Sequence, residues 1–323
     1  MTLPYEAVAA RRTLQVVSAD GTRIHVEEFG RADGPAVVLA HGWTCSILFW
    51  APVVRLLSSD FRVIAYDQRG HGRSAAPLTR TGYGTGVLAD DLEAVLEAVL
   101  PAGERAVLAG HSMGGMTIMA ASGRAAVTSR TAAVLLASTG SGRLLGTTEV
   151  LPPRFSPRWL RRFFHRQLLT SRLPLGPITP MSRGAFAYGV LGAAPTREQA
   201  AFTARIVHAC KTRQRAAWGR VLSVLDLDVE IAALDAPTAV LVGTHDKLTP
   251  KAHARGMAKA LPRCVGLTEL PGLGHMTPIE APDAVASAIR ELAAAHAAPS
   301  SEADADVDTV TGQGDPVVEE KSA

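Results

Sequence analysis

The chain has 323 residues, 47% of them hydrophobic and 20% charged, with a formal net charge of +3. That suffices for a sizeable core in one large domain, or in one domain carrying an insertion. No stretch of 18 apolar residues runs free of charges, which argues against a transmembrane helix; arginine far outnumbers lysine, but without zinc-finger spacing or interleaved aromatics, so nucleic-acid binding is not expected.

The opening MTLPYEAVAARRTLQVV lacks a basic region followed by an apolar one, so no signal peptide is expected and a cytoplasmic location is. TLQVVSADGTRIHVEEFG (13–30) reads as two strands around an Asp-Gly turn. AVVLAHG (36–42), RVIAYD (62–67), RAVLAG (105–110), TAAVLLAST (131–139) and PTAVLVGT (237–244) are short apolar runs, as expected of parallel strands covered on both faces. Helical patterns lie between them. In 88–100, Leu88, Leu92, Val95, Leu96 and Val99 make one stripe; a second pattern follows Ser112, and a third spans 282–297. This alternation predicts an α/β fold with a mostly parallel central sheet flanked by helices.

From 141 to 233 the rhythm breaks, with prolines between helical stretches. The expected organisation is a core of 1–140 and 234–296, a helical cap of 141–233 before the late acid-bearing strand, and a tail of 297–323. From Glu302 onward that tail carries seven acids and one lysine and reads as disordered. Cys45, Cys210 and Cys264 are too scattered for a disulfide frame or a CxxC metal site.

Four polar stations follow strand-like runs, where open α/β sheets gather their chemistry. Ser112 in LAGHSMGG (108–115) lies between an apolar run and a helical one; Gly110 and Gly114 leave room for a sharp strand-to-helix turn, so the GxSxG pattern reads as a nucleophile elbow. A serine that only caps the helix is the plainer alternative. Asp246 follows the run 237–244, and His275 lies in the Gly- and Pro-rich loop before the last helix; taken singly, an acid there caps a helix and a loop histidine is solvated. The order Ser112, Asp246, His275 is that of a serine-hydrolase triad. His41-Gly42-Trp43 ends the run 36–42. Gly42 is expected to allow a tight turn, so that the Trp43 and Met113 backbone N–H groups face one oxyanion. His41 is expected to hold this loop, and His111 to point away from the serine.

With HGW (41–43), YDQRGHGRS (66–74), GHSMGG (110–115), GTHDKLTP (243–250) and GHMTPIEAP (274–282), the chain resembles the α/β-hydrolase superfamily, in the branch of haloperoxidase-like esterases, proline iminopeptidases and epoxide hydrolases. The resemblance implies catalytic roles for Ser112, Asp246 and His275, and scaffold roles for Asp67, Arg69 and His71. Epoxide hydrolases carry aspartate at the elbow, and this chain carries Ser112. The implied activity is serine-dependent hydrolysis of a lipophilic carboxylic ester, carboxylesterase- or lipase-like, through an acyl-enzyme and without metal or organic cofactor. Lactone, thioester, amide, peptide or carbon–carbon bond cleavage, cofactor-free perhydrolysis, and a non-catalytic ligand-binding role remain alternatives.

The cap contains SPRWLRRFFHRQLL (156–169), a basic amphipathic pattern. Trp159, Leu160, Phe163 and Phe164 are expected to line the pocket. Arg158, Arg162 and Arg166 form another face, which fits solvent, an anionic membrane surface or an anionic substrate. No acid occurs between Val150 and Arg197, which counts against a free-amine substrate.

Overall fold

The computed structural model describes residues 5–151 and 157–297; the acidic tail expected from Glu302 lies outside them. Eight strands form one sheet in the order β1-β2-β4-β3-β5-β6-β7-β8. β1 (Arg12–Val17) and β2 (Arg23–Gly30) are the expected hairpin, and β2 also pairs antiparallel with β4 (Arg62–Tyr66). From there the sheet is parallel: β4, β3 (Ala36–Ala40), β5 (Ala106–His111), β6 (Thr131–Ala137), β7 (Thr238–Gly243) and β8 (Cys264–Leu270).

Every residue of β3, β4, β5 and β6 is buried. Their uninterrupted apolar runs are explained by cover on both faces. One face packs on helices Thr85–Val99 and Met113–Ala120, the other on Ala51–Leu57 and Pro282–His296. In Thr85–Val99 the buried positions include Leu88, Leu92, Val95, Leu96 and Val99, the stripe legible in the sequence.

Between β6 and β7 the chain leaves the sheet for a helical cap, including Arg158–Thr170, Pro180–Val190, Arg197–Ala209 and Thr212–Leu222. It returns through a bridge between Gly142 and Asp226. Two tryptophans tie cap and core. The Trp218 indole donates to the Arg69 carbonyl at 3.0 Å, and the Trp43 indole donates to the Arg215 carbonyl at 3.0 Å. Among the described residues no helix is long and apolar enough to cross a membrane.

Candidate active site

β5 runs directly into helix Met113–Ala120, and Ser112 is the residue at the turn, with φ 51° and ψ −117°. A left-handed φ on a side chain other than glycine is strained and persists only where the surroundings impose it. They do so here. The Ser112 N–H donates to Ala137 O at 3.0 Å, and its carbonyl accepts from Thr139 Oγ1 at 2.7 Å. A Cβ on Gly114 would lie 2.0 Å from Ala40 O, and one on Gly110 would lie 2.5 Å from Gly115 N, so both glycines are needed for the helix to start so close to the sheet. Met113 is the first helical residue, so its N–H has no acceptor within the helix.

Asp246 follows β7. Its Oδ1 accepts from the N–H groups of Leu248 and Thr249, each at 2.9 Å. Its Oδ2 accepts from Thr249 Oγ1 and from His275 Nδ1, both at 2.9 Å. Asp246 and His275 are buried. The Asp246 bond fixes the tautomer, placing the His275 proton on Nδ1 and leaving Nε2 as the acceptor. The His275 main chain is held as well: its N–H donates to Val190 O in the cap at 2.8 Å, and its carbonyl accepts from His111 Nε2 at 2.8 Å. His111 therefore serves as a brace for the histidine loop.

Glu280 is a second brace, missed in the sequence. Its carboxylate accepts from Gly192 N–H at 2.7 Å and from the N–H groups of Gly274 and Met276, each at distances up to 3.1 Å. Its position four residues after Met276 was the available signal, but a glutamate at a helix start is too common to stand out.

The loop after β3 is gripped by the segment after β4. His41 Nδ1–H donates to Gly42 O at 2.8 Å, while its Nε2 accepts from Gln68 N–H at 3.0 Å. His71 Nε2 accepts from Thr44 N–H at 3.2 Å, and Asp67 accepts from Ile47 N–H and Arg73 N–H, each at 2.8 Å. Burial holds both rings neutral, with the His41 pKa pushed down to about 4 and the His71 pKa to about 3. Arg69 is locked by a bidentate pair to Asp91 at 2.5 and 2.6 Å. One expectation is corrected: the left-handed turn residue is Thr44, at φ 64°, and not Gly42. Gly42 is needed for close approach, since a Cβ there would lie 2.8 Å from His111 Nδ1.

Ser112 and His275 border one cavity of about 340 Å³, roofed by the cap. Among the described residues no hydrogen bond joins the two side chains; such bonds commonly tighten only when substrate binds. Trp43, Met116, Phe164, Leu168 and Phe186 are among the apolar lining. Phe164 thus stands where the sequence suggested. Trp159, Leu160 and Phe163 do not line this cavity: they are 69%, 39% and 57% exposed. The helix sets Phe164, His165 and Leu168 against the cavity, with Phe164 and Leu168 still 43% and 47% exposed, and leaves Trp159 and Phe163 further into solvent.

A sequence model described as the alpha/beta hydrolase family matches residues 37–288. A non-heme chloroperoxidase of Streptomyces lividans is 30% identical over 280 residues, covering 80% of this chain and 92% of that one. A Mycobacterium tuberculosis protein named as an oxidoreductase, EphD, is 42% identical over 103 residues, which are 32% of this chain and only 17% of that relative's length. Among solved structures, an esterase from Rhodococcus sp. ECU1013 superposes with a TM-score of 0.65 at 27% identity, covering 88% of this chain and 99% of that one.

Proposed function

The chain belongs to the alpha/beta hydrolase family, and from that premise we propose that it is a serine-dependent carboxylic ester hydrolase acting on a lipophilic ester through an acyl-enzyme. The observation that carries the reading is the strained Ser112 turn and the Asp246–His275 pair at the edge of one apolar cavity.

Ser112 Oγ attacks the ester carbonyl while His275 Nε2 takes its proton. Asp246 keeps the ring oriented and stabilises the imidazolium. The backbone N–H groups of Met113 and Trp43 receive the oxyanion; they act at the moment charge develops, without reorganisation. Imidazolium then gives its proton to the departing alkoxide. Water, deprotonated by the same histidine, attacks the acyl carbonyl, and the acid leaves as Ser112 regains its proton. Every step uses this chain's own side chains and backbone. In the same reading, 1–140 and 234–296 form the catalytic core and 141–233 the cap.

Cap chemistry supports peripheral contact with an anionic membrane surface by a protein of the cytoplasm. Trp159 and Phe163 are exposed on helix Arg158–Thr170, which also exposes Arg162 and Arg166. An Arg162→Gln/Arg166→Gln variant is expected to bind anionic vesicles more weakly at low salt, with the difference shrinking as salt screens the charges. Equal binding at low salt rejects the contact.

The test of the reaction is Ser112→Ala. Loss of nearly all turnover of a p-nitrophenyl ester, roughly 10³-fold or more, together with loss of fluorophosphonate labelling in a folded protein, is the expected result. Equal labelling of both proteins removes Ser112 as the nucleophile.

A further inference from the structure

The cavity beside Ser112 contains one charge that the proposed reaction does not use. Arg215, on helix Thr212–Leu222, is 4% exposed and borders the cavity. The other buried arginines have acids beside them: Arg62 pairs with Glu104, and Arg69 with Asp20 and Asp91. Among the described residues Arg215 has no such partner, and no Asp or Glu lines the cavity. A guanidinium does not discharge in a protein interior, so it stays a cation in an apolar wall.

Part of its hydrogen-bonding capacity is spent. Nη2 donates to the carbonyls of Ser171 and Leu173, just past helix Arg158–Thr170. This anchors the planar group, and a purely structural role would end there. Nε and Nη1 meet no acceptor among the described residues. A second polar group borders the same cavity. His165 is 2% exposed; its ring lies beside the Leu145 carbonyl, and neither nitrogen makes a well-formed hydrogen bond among the described residues. Burial lowers its pKa, so the ring is neutral at neutral pH, with one donor and one acceptor nitrogen.

The two helices cross so closely that a Cβ on Gly219 would lie 1.8 Å from Leu169 O. Arg215 sits about one turn to one side of that contact, against Ser171 and Leu173, and His165 about one turn to the other side, so the two polar groups border different parts of the cavity.

We propose that the cavity selects esters whose apolar acyl arm ends in a carboxylate, which pairs with the unmatched Arg215 cation through a donor left on Nε or Nη1. Both two-point edges of a guanidinium include Nη2, which Arg215 spends on the Ser171 and Leu173 carbonyls, so the carboxylate meets a single charge-assisted donor, and it supplies the counter-charge that the fold omits. The apolar lining takes the methylenes between the two ends. This deepens the ester-hydrolase reading and rests on it for the fate of the ester bond, but anion recognition itself needs no turnover.

The test compares p-nitrophenyl hemi-esters of linear diacids, glutaric to suberic, with their methyl-capped neutral counterparts. The readout is the ratio of kcat/KM values, because lost packing lowers both alike. Wild type is expected to favour the anion at one chain length; Arg215→Gln is expected to lower that ratio by roughly tenfold or more, with Arg215→Lys between them. A ratio unchanged by Arg215→Gln overturns the proposal and leaves Arg215 a brace. Calorimetry on Ser112→Ala separates this from the catalytic reading. Monomethyl adipate is expected to bind more tightly than dimethyl adipate, and the preference to vanish in Ser112→Ala/Arg215→Gln. Equal binding of the two in Ser112→Ala overturns the anion site while ester hydrolysis stands. A preserved monoanion preference in a protein that hydrolyses no ester supports the anion site and overturns the hydrolase reading.

Discussion

Trp43 and Arg215, 172 residues apart in the chain, are joined by a 3.0 Å hydrogen bond from the indole Nε1–H to the main-chain carbonyl. The loop that offers the Trp43 N–H to the proposed oxyanion is thereby fastened to the cap helix that borders the cavity. Trp43→Phe keeps the backbone donor and removes the tether. A buried hydrogen bond contributes about 1 kcal/mol net, so amide protection in Thr212–Leu222 should fall by roughly fivefold. Hydrogen exchange measures this, and unchanged protection would show that the tether carries no weight.

Asp246 and Asp228 are both acids near the ends of elements in the late half of the chain, and their surroundings separate them. Asp246 is buried with four hydrogen bonds, one of them to His275. Asp228 is exposed, paired with Ser141 and Arg143. Asp246→Asn should lower kcat by roughly 10³–10⁴-fold, because the ring loses the acceptor that fixes its tautomer. Asp228→Asn should change kcat by no more than about threefold, as expected of an exposed ion pair. Steady-state kinetics on a small ester decides, and a large defect in the second variant would move the acid's role.

The Arg69–Asp91 pair is sealed, with side-chain exposures of 0% and 1%. Removing one partner of such a pair strands the other, at a cost of about 3–5 kcal/mol. Asp91→Asn should therefore lower unfolding stability by several kcal/mol in urea titration, softened by the remaining contact of Arg69 with Asp20. It does not line the cavity, so any loss of activity at low temperature should be small by comparison.

Buried histidines set the acid side of the stability curve. His41, His71, His111, His165 and His253 all have pKa values lowered chiefly by burial, to about 4 for His41 and about 3 for His71. Unfolded, each titrates near an ordinary 6.5, so between about pH 6.5 and pH 4 the unfolded chain binds more protons than the folded one. Stability is therefore fully present above pH 6.5 and falls as pH drops through that window. Denaturation midpoints at pH 7.5, 6 and 5 should fall in that order. Equal midpoints would show that these rings are not kept neutral by the fold.

The apolar runs that became β3 to β6, the leucine stripe of Thr85–Val99 and the small residues around Ser112 were legible because each signal is local. A strand covered on both faces needs an unbroken apolar run whatever covers it, and a strand-to-helix turn needs glycines beside the turning residue wherever the helix then goes. The chain order of Ser112, Asp246 and His275 was equally plain, though bringing Ser112 and His275 to one cavity, with Asp246 bonded behind the ring, depends on β7 lying next to β6. Tertiary structure alone decided which cap side chains meet the cavity. Periodicity marks an apolar face of Arg158–Thr170 but not what it meets, and the fold set Phe164 and Leu168, half-exposed themselves, against the cavity while leaving Trp159 and Phe163 away from it. Glu280 and Arg215 were silent for a related reason. One gathers backbone N–H groups from separate segments, and the other is a cation defined by the acids that are missing around it. Neither property exists in a stretch of sequence, since it arises only when distant segments are packed together and water is shut out.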